Sequence, residues 1–245
     1  MRTARICEKW DMALPDATVL AGPDWFLDWV LRSPRQAGIH LTAGWHAYAS
    51  LLSVYSPRDI RSAREYFGGI GAQSLMIEEL FSPLSHVVLD YVPEAVSHLR
   101  RVTPWNTIAL VADAYDPRST GAADLVGLDF GDLTVWKATQ PGNHRDLLDR
   151  VFLLGPKAVV LTDIAASHLH LQRERYETVL GGGTCGDYPS YLDAFSRLIE
   201  ERYGYVMVAG FAHRWSTVMA LVPVGAAKRG VFIPTPDRPV GLELR

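Results

Sequence analysis

From residue 58 onward, short apolar runs alternate with longer stretches of helical periodicity. The apolar runs predict strands over Arg61–Phe67, His86–Asp90, Thr107–Val111, Asp124–Leu128, Ala158–Asp163, Tyr205–Phe211 and Ser216–Val222. Several of them, such as Ala158-Val-Val-Leu161, are apolar at successive positions, which suits strands buried on both faces. Between them, the 3.6-residue spacing predicts helices over Ala72–Phe81, Pro93–Arg101, Asn143–Leu153 and Tyr188–Tyr203. Strand–helix alternation of this kind implies an α/β fold with a doubly wound, mostly parallel sheet of seven strands. Only Ala212-His-Arg-Trp215 separates the last two strands, so the seventh is expected to run antiparallel to the sixth.

Residues 1–57 break this rhythm. They contain Trp10, Trp25, Trp29 and Trp45, punctuated by Pro15, Pro23, Pro34 and Pro57. Trp25, Phe26, Trp29 and Val30 are spaced for a short helix that Asp24 can cap. A second helix is predicted from Ala43 to about Val54, with Trp45, Tyr48, Ala49 and Leu52 on one face, and Pro57 ends it. The expected organisation is a helical N-terminal cap (1–57), an α/β domain (58–225) and an irregular C-terminal tail (226–245) carrying Pro234, Pro236 and Pro239. The cap is too short to bury a core of its own.

Composition narrows the picture little. A net charge of -3 gives no electrostatic reason for strong nonspecific binding to nucleic acid. Two cysteines, Cys7 and Cys185, are too few for a disulfide framework, so a cytoplasmic setting is the expectation. No apolar run reaches the ~20 residues of a membrane helix, and the charged N-terminus has no apolar core of a secretory signal. Oligomeric state leaves no mark.

The chemistry gathers at four predicted strand ends. They are Glu65-Tyr-Phe-Gly-Gly-Ile-Gly-Ala72, Leu89-Asp90, Ala112-Asp113-Ala114 and Asp129-Phe-Gly-Asp132. In a parallel sheet all four lie at the carboxyl edge, where α/β ligand sites form. A glycine turn lets backbone approach a ligand, and a carboxylate ending the next strand can accept from ribose hydroxyls. Each residue also has a plainer reading. Gly69 and Gly71 can be turn glycines, Asp90 can cap the helix beginning at Pro93, and Asp113 can cap its own turn. Asp129, Asp132 and Asp163, each at a strand end, are candidates for a general base or for orienting a substrate amine or hydroxyl; loop capping is the alternative. His168, His170 and Cys185 invite a zinc reading, but no Cys-x-x-Cys or second ligand pair accompanies them, and no metal site is expected.

The order of these four strand ends resembles the class I S-adenosylmethionine-dependent methyltransferases. Glu65, Gly69 and Gly71 match that family's acidic-and-glycine turn, with Ala72 where a third glycine is common. The resemblance implies S-adenosyl-L-methionine as cofactor. Glu65, Phe67, Gly69 and Gly71 would hold its methionine portion, Asp90 and Tyr91 the ribose, Asp113 and Ala114 the adenine, and Asp129 would border both cofactor and acceptor. The fourth strand end departs from the family's nucleic-acid signatures: it has no Pro-Pro-aromatic run and no Pro-Cys nucleophile, and the lysines of a ribose 2′-O-methylating set are incomplete. The methyl acceptor, small molecule or nucleic acid, stays open. Two alternatives share parts of the pattern: an NAD(P)-dependent oxidoreductase on a related Rossmann fold, and a non-catalytic methyltransferase-like binding or structural module.

Overall fold

The computed structural model describes residues 3–5, 19–21, 43–69, 71–129, 142–163, 180, 186, 188–213 and 216–226. Thr3–Arg5 (β1) and Val19–Ala21 (β2) pair antiparallel as a two-stranded ribbon. An α-helix over residues 43–50 (α1) runs into a 3₁₀ turn at Leu51–Ser53. A second 3₁₀ turn, Pro57–Asp59, starts with proline at a position where the missing N–H costs nothing. Its Asp59 accepts from the Ser56 amide at 2.8 Å.

The main sheet then builds up in sequence. Its elements are Ser62–Tyr66 (β3), Ala72–Phe81 (α2), Ser85–Asp90 (β4), Pro93–Val102 (α3), Thr107–Val111 (β5), Leu125–Asp129 (β6), Gly142–Leu153 (α4), Ala158–Asp163 (β7), Tyr188–Tyr203 (α5), Tyr205–His213 (β8) and Ser216–Pro223 (β9). Their spatial order is β5-β4-β3-β6-β7-β9-β8. β3 to β7 pair in parallel, and β9 pairs antiparallel with both β7 and β8. This is the expected seven-stranded, doubly wound sheet with one reversed strand.

Side chains alternate between two cores, as the pleat requires. Ala158 and Val160 join Ala63, Ile77, Ala220 and Val222 under α1 and α2. Val159 and Leu161 join Tyr66, Leu128, Met219 and Leu221 against α4 and α5. α3 lays Val96 and Leu99 on Val88 and Ala109, on the α2 side of β4 and β5. The second helix of the expected cap is thus built into the sheet's own packing: Ala47, Tyr48 and Leu51 are fully buried there. The predicted helix at Trp25–Val30 and the tail beyond residue 226 lie outside the described residues.

The amino edge of the sheet is tied by one carboxylate. Asp124 accepts from the Arg61 amide at 2.8 Å and the Ser62 amide at 3.1 Å, and pairs with Lys157 Nζ at 3.0 Å. These contacts fix the start of β3 against β6 and leave its far end to set the glycine turn. Among the described residues, no helix is long and apolar enough to cross a membrane.

Candidate functional site

The strand order reverses at β3, whose sequence neighbour β4 lies on one side and β6 on the other. Ligand crevices of open α/β sheets form at such a reversal, beyond the carboxyl ends. Here β3 stops at Tyr66 because Phe67 turns into the left-handed region, with φ 64°. The turn then lies down on β4: the Gly68 amide donates to Leu89 O at 3.0 Å, and a Cβ on Gly68 would sit 2.2 Å from Val88 Cγ1. Gly71, with φ 81°, caps α2, and a side chain there would meet Leu99 at 2.9 Å. The free amides of a helix start and its dipole favour an anionic or polar ligand nearby.

Asp90 joins the turn to the next helix. Its Oδ2 accepts from the Gly69 amide at 2.8 Å and its Oδ1 from the Val92 amide, also at 2.8 Å. Asp90 does not cap the helix, whose N-cap residue is Val92 without a side-chain cap; it closes a local turn onto the Val92 amide and ties that turn to the glycine turn. Burial holds this carboxyl above its ordinary range, against the pull of the amide bonds. A carboxylate offers about four acceptor positions, so these bonds do not exhaust its capacity for ribose hydroxyls. Tyr91, beside it, is exposed.

Glu65 is buried below the turn, at 1% exposure. Ser74 Oγ on α2 donates to its Oε2 at 2.5 Å, and His86 Nε2 on β4 lies 3.7 Å from the same oxygen. Burial pushes the Glu65 carboxyl up to about 8; the Ser74 bond opposes this, and the charges of Asp129 and Asp90 add to it. Beside it, the Tyr48 hydroxyl donates to Gln73 Oε1 at 2.6 Å, and Gln73 Nε2 reaches Thr162 Oγ1 at 3.4 Å. Gly127 on β6 makes room for this group: a Cβ there would stand 2.7 Å from the Tyr48 hydroxyl. Burial, then Glu65 and Asp129, raise the Tyr48 phenol well above its ordinary range.

At the end of β5 the exposed Asp113 accepts from the Tyr115 amide at 2.9 Å, so it does cap its own turn, and Ala114 is buried beneath it. Tyr115 was not singled out by sequence. Its ring lies 5.4 Å from that of Phe67, and its hydroxyl is 2.7 Å from His144 Nδ1. Phe67 thus reaches from the glycine turn to the loop after β5. Arg150 on α4 fastens that loop: its guanidinium donates to the carbonyls of Ala114, Tyr115 and Asp116 and to the Thr120 hydroxyl. A buried histidine and an arginine that binds neutral carbonyls give no sequence signal of their role.

The structure brings Glu65, Asp90 and Asp129 to one end of three adjacent strands, close enough for Asp129 to act on both neighbours. Asp163 ends β7, two strands from Glu65, and its side chain lies outside the described residues. Asp132, His168, His170 and Cys185 lie outside them as well. Among the described residues, no group of three or more His, Cys, Asp or Glu side chains is placed to hold a metal ion.

Solved structures share this architecture. The N-methyltransferase NodS from Bradyrhizobium japonicum WM9 superposes with a TM-score of 0.52 at 12% identity, over 76% of this chain and 97% of that one. The methyltransferase domain of bacterial CtHen1-C superposes with a TM-score of 0.51 at 11% identity, over 76% of this chain and 98% of that one. The fold is that of the class I S-adenosylmethionine-dependent methyltransferases. In that methyltransferase fold, β3 to β6 of this chain are the strands whose ends carry the turn, Asp90, Asp113 and Asp129. Against the mitomycin 7-O-methyltransferase MmcR the TM-score is 0.48 at 16% identity, and this chain spans 60% of that chain's length. No protein-family model and no curated protein sequence matches the chain.

Proposed function

We propose that this chain is an S-adenosylmethionine-dependent methyltransferase. The observation that carries the reading is the bond from the Gly69 amide to Asp90 at 2.8 Å, which locks glycine turn and acidic strand end into one cradle at the strand-order reversal. A turn that lies flat on β4 at Gly68 leaves the backbone open to a ligand, and Asp90 keeps acceptor capacity for two hydroxyls.

When bound, the cofactor supplies a methyl group on an electrophilic sulfonium. The protein's part is to align an acceptor atom with that methyl and to exclude water. Glu65 and the Phe67–Gly71 turn hold the methionine portion, Asp90 and Tyr91 the ribose, and Asp113 and Ala114 the adenine. Asp129 borders the acceptor and, with Asp132 or Asp163 as alternatives, orients or deprotonates it. Acceptor chemistry stays at the level of a small molecule or nucleic acid, the latter without support from a net charge of -3.

Calorimetric titration with S-adenosylmethionine and S-adenosylhomocysteine tests the reading. Binding is expected, and Asp90→Ala is expected to weaken it about 100-fold, the loss of two charge-assisted hydrogen bonds. No heat of binding at millimolar ligand rejects the methyltransferase reading. Thermal protection by NAD but not by S-adenosylhomocysteine would favour an oxidoreductase instead. A binding module without catalysis is the second reading, favoured by Phe67, a bulky side chain within the turn at φ 64°. Cofactor binding with a sealed face toward Asp129 would support it.

A further inference from the structure

One buried side chain below the turn is left without a part by the cofactor reading. His86 is fully buried on β4, between two carboxylates of different standing. Its Nδ1 is 2.9 Å from Glu78 Oε1, and its Nε2 faces Glu65 Oε2 at 3.7 Å. Glu78 is anchored by the Asn106 amide at 3.1 Å and the Thr107 hydroxyl at 3.2 Å. Burial works to raise the Glu78 carboxyl, but the His86 and Asn106 bonds outweigh it and hold it below its ordinary range. An ionised Glu78 only accepts, so His86 Nδ1 carries a proton. His86 Nε2, a buried nitrogen without a hydrogen-bond partner, is then left pointing at Glu65.

The described groups that meet Glu65 come from every element around it: Tyr48 from α1, Ser74 from α2, His86 and Asp90 from β4, and Asp129 from β6. Only His86 among them can carry positive charge. With its carboxyl pushed up to about 8 by burial, Glu65 holds a proton at neutral pH in the free protein. An ammonium or sulfonium group arriving beside it favours the ionised carboxylate.

We infer that His86 is a positioning residue for Glu65: when a cationic ligand enters the turn, the Glu65 proton passes to His86 Nε2, and the resulting carboxylate–imidazolium pair is held at its far side by Glu78. The step balances within the protein. The O–H bond at Glu65 Oε2 breaks, an N–H bond at His86 Nε2 forms, and no proton reaches solvent. The 3.7 Å gap needs to close by less than about 1 Å to become a hydrogen bond. The inference rests on the cofactor reading above, since it takes the cation to be the methionine portion of S-adenosylmethionine.

The test is calorimetric titration of the full chain with S-adenosylmethionine from pH 6 to 8, in buffers of different ionisation heat. Wild type is expected to exchange almost no proton and to keep an even affinity. His86→Gln leaves the Glu65 proton no internal destination. That variant is expected to release about one proton per ligand and to lose affinity about tenfold per pH unit as pH falls below 8. Because His86 is buried, Glu78→Gln serves as the second variant; it removes the charge that holds the imidazolium and is expected to show the same slope in weaker form. A purely structural role for His86 would lower the melting temperature without creating a pH slope. Release of a full proton by wild type, or flat profiles in both variants, overturns the inference and leaves cofactor binding intact. Absence of binding at millimolar S-adenosylmethionine overturns both.

Discussion

Asp124, just before β6, and Glu65, near the end of the neighbouring β3, sit at opposite ends of the same sheet under opposite electrostatics. Asp124 meets two backbone amides and a lysine, and its carboxyl is held below the ordinary range against the effect of burial. Asp149, on α4, is treated alike: Arg202 near the end of α5 grips both its oxygens at 2.9 Å. Glu65 meets a serine hydroxyl, faces His86 Nε2 across 3.7 Å without a hydrogen bond, and feels two other carboxylates; burial drives it upward. At the amino edge of the sheet the carboxylates are ionised and paired; at the carboxyl edge burial, with Asp90 and Asp129 nearby, favours a protonated Glu65 under the glycine turn. Ion pairing keeps Asp124 ionised as part of the scaffold, whereas burial without a bonded cation favours the protonated form of Glu65.

The largest expected effect breaks the comparison at its top end. Glu65→Gln keeps the Ser74 bond and removes the titration. A carboxyl whose folded pKa is about 8, against an ordinary 4.5, destabilises the fold progressively as pH rises through that window. The variant is therefore expected to match wild type near pH 4.5 and to be more stable by on the order of 4 kcal/mol at pH 8. Chemical denaturation across that range measures it; a constant difference refutes the raised carboxyl.

The bottom end has the opposite sign. Asp124→Ala is expected to cost about 2 to 3 kcal/mol at neutral pH, from two amides and an ammonium left without their partner. Because the folded carboxyl lies below its ordinary value, the stabilisation is present above the unfolded pKa and fades as pH falls through the folded one. Wild type and variant should therefore converge in acid, and a gap that persists there would contradict the pairing.

Gly127→Ala sharpens the packing side of the contrast. Its Cβ would press on the Tyr48 hydroxyl at 2.7 Å and Gln73 Oε1 at 3.2 Å. Overpacking of this kind costs roughly 2 kcal/mol. Tyr48→Phe is the smallest step, about 1 kcal/mol for one buried hydrogen bond, and in combination it should relieve part of the Gly127→Ala strain. Additive losses in the double variant would show that the two side chains do not share that space.

The sheet was legible because its strands are continuous apolar runs bounded by polar turns, and two-sided burial leaves no other use for such runs. Thr107–Val111 and Ala158–Asp163 are found at the predicted bounds. β3 is shorter than Arg61–Phe67 for local reasons: Arg61 gives its amide to Asp124, and Phe67 leaves extended geometry altogether. β1 and β2 have three residues each, too few for any period, and their pairing depends on residues far apart in sequence. At the candidate site, the placement of Glu65 and Asp90 near strand ends beside the glycine turn was readable from their offset to the glycines. Ser74, Gln73, Tyr48 and His86 were not, because a polar residue on an amphipathic helix or strand looks solvated until tertiary packing closes over it. Tyr48 reads as one face of a tryptophan-rich cap, yet it is a fully buried donor inside the core.

Arg150 gives the loop after β5 a mechanical allegiance. Its guanidinium holds three carbonyls and a hydroxyl of residues 114–120, so the loop that continues β5 is also fastened to α4. The Tyr115 ring in turn packs 5.4 Å from that of Phe67, so one arginine side chain ties α4 to residues that flank the glycine turn.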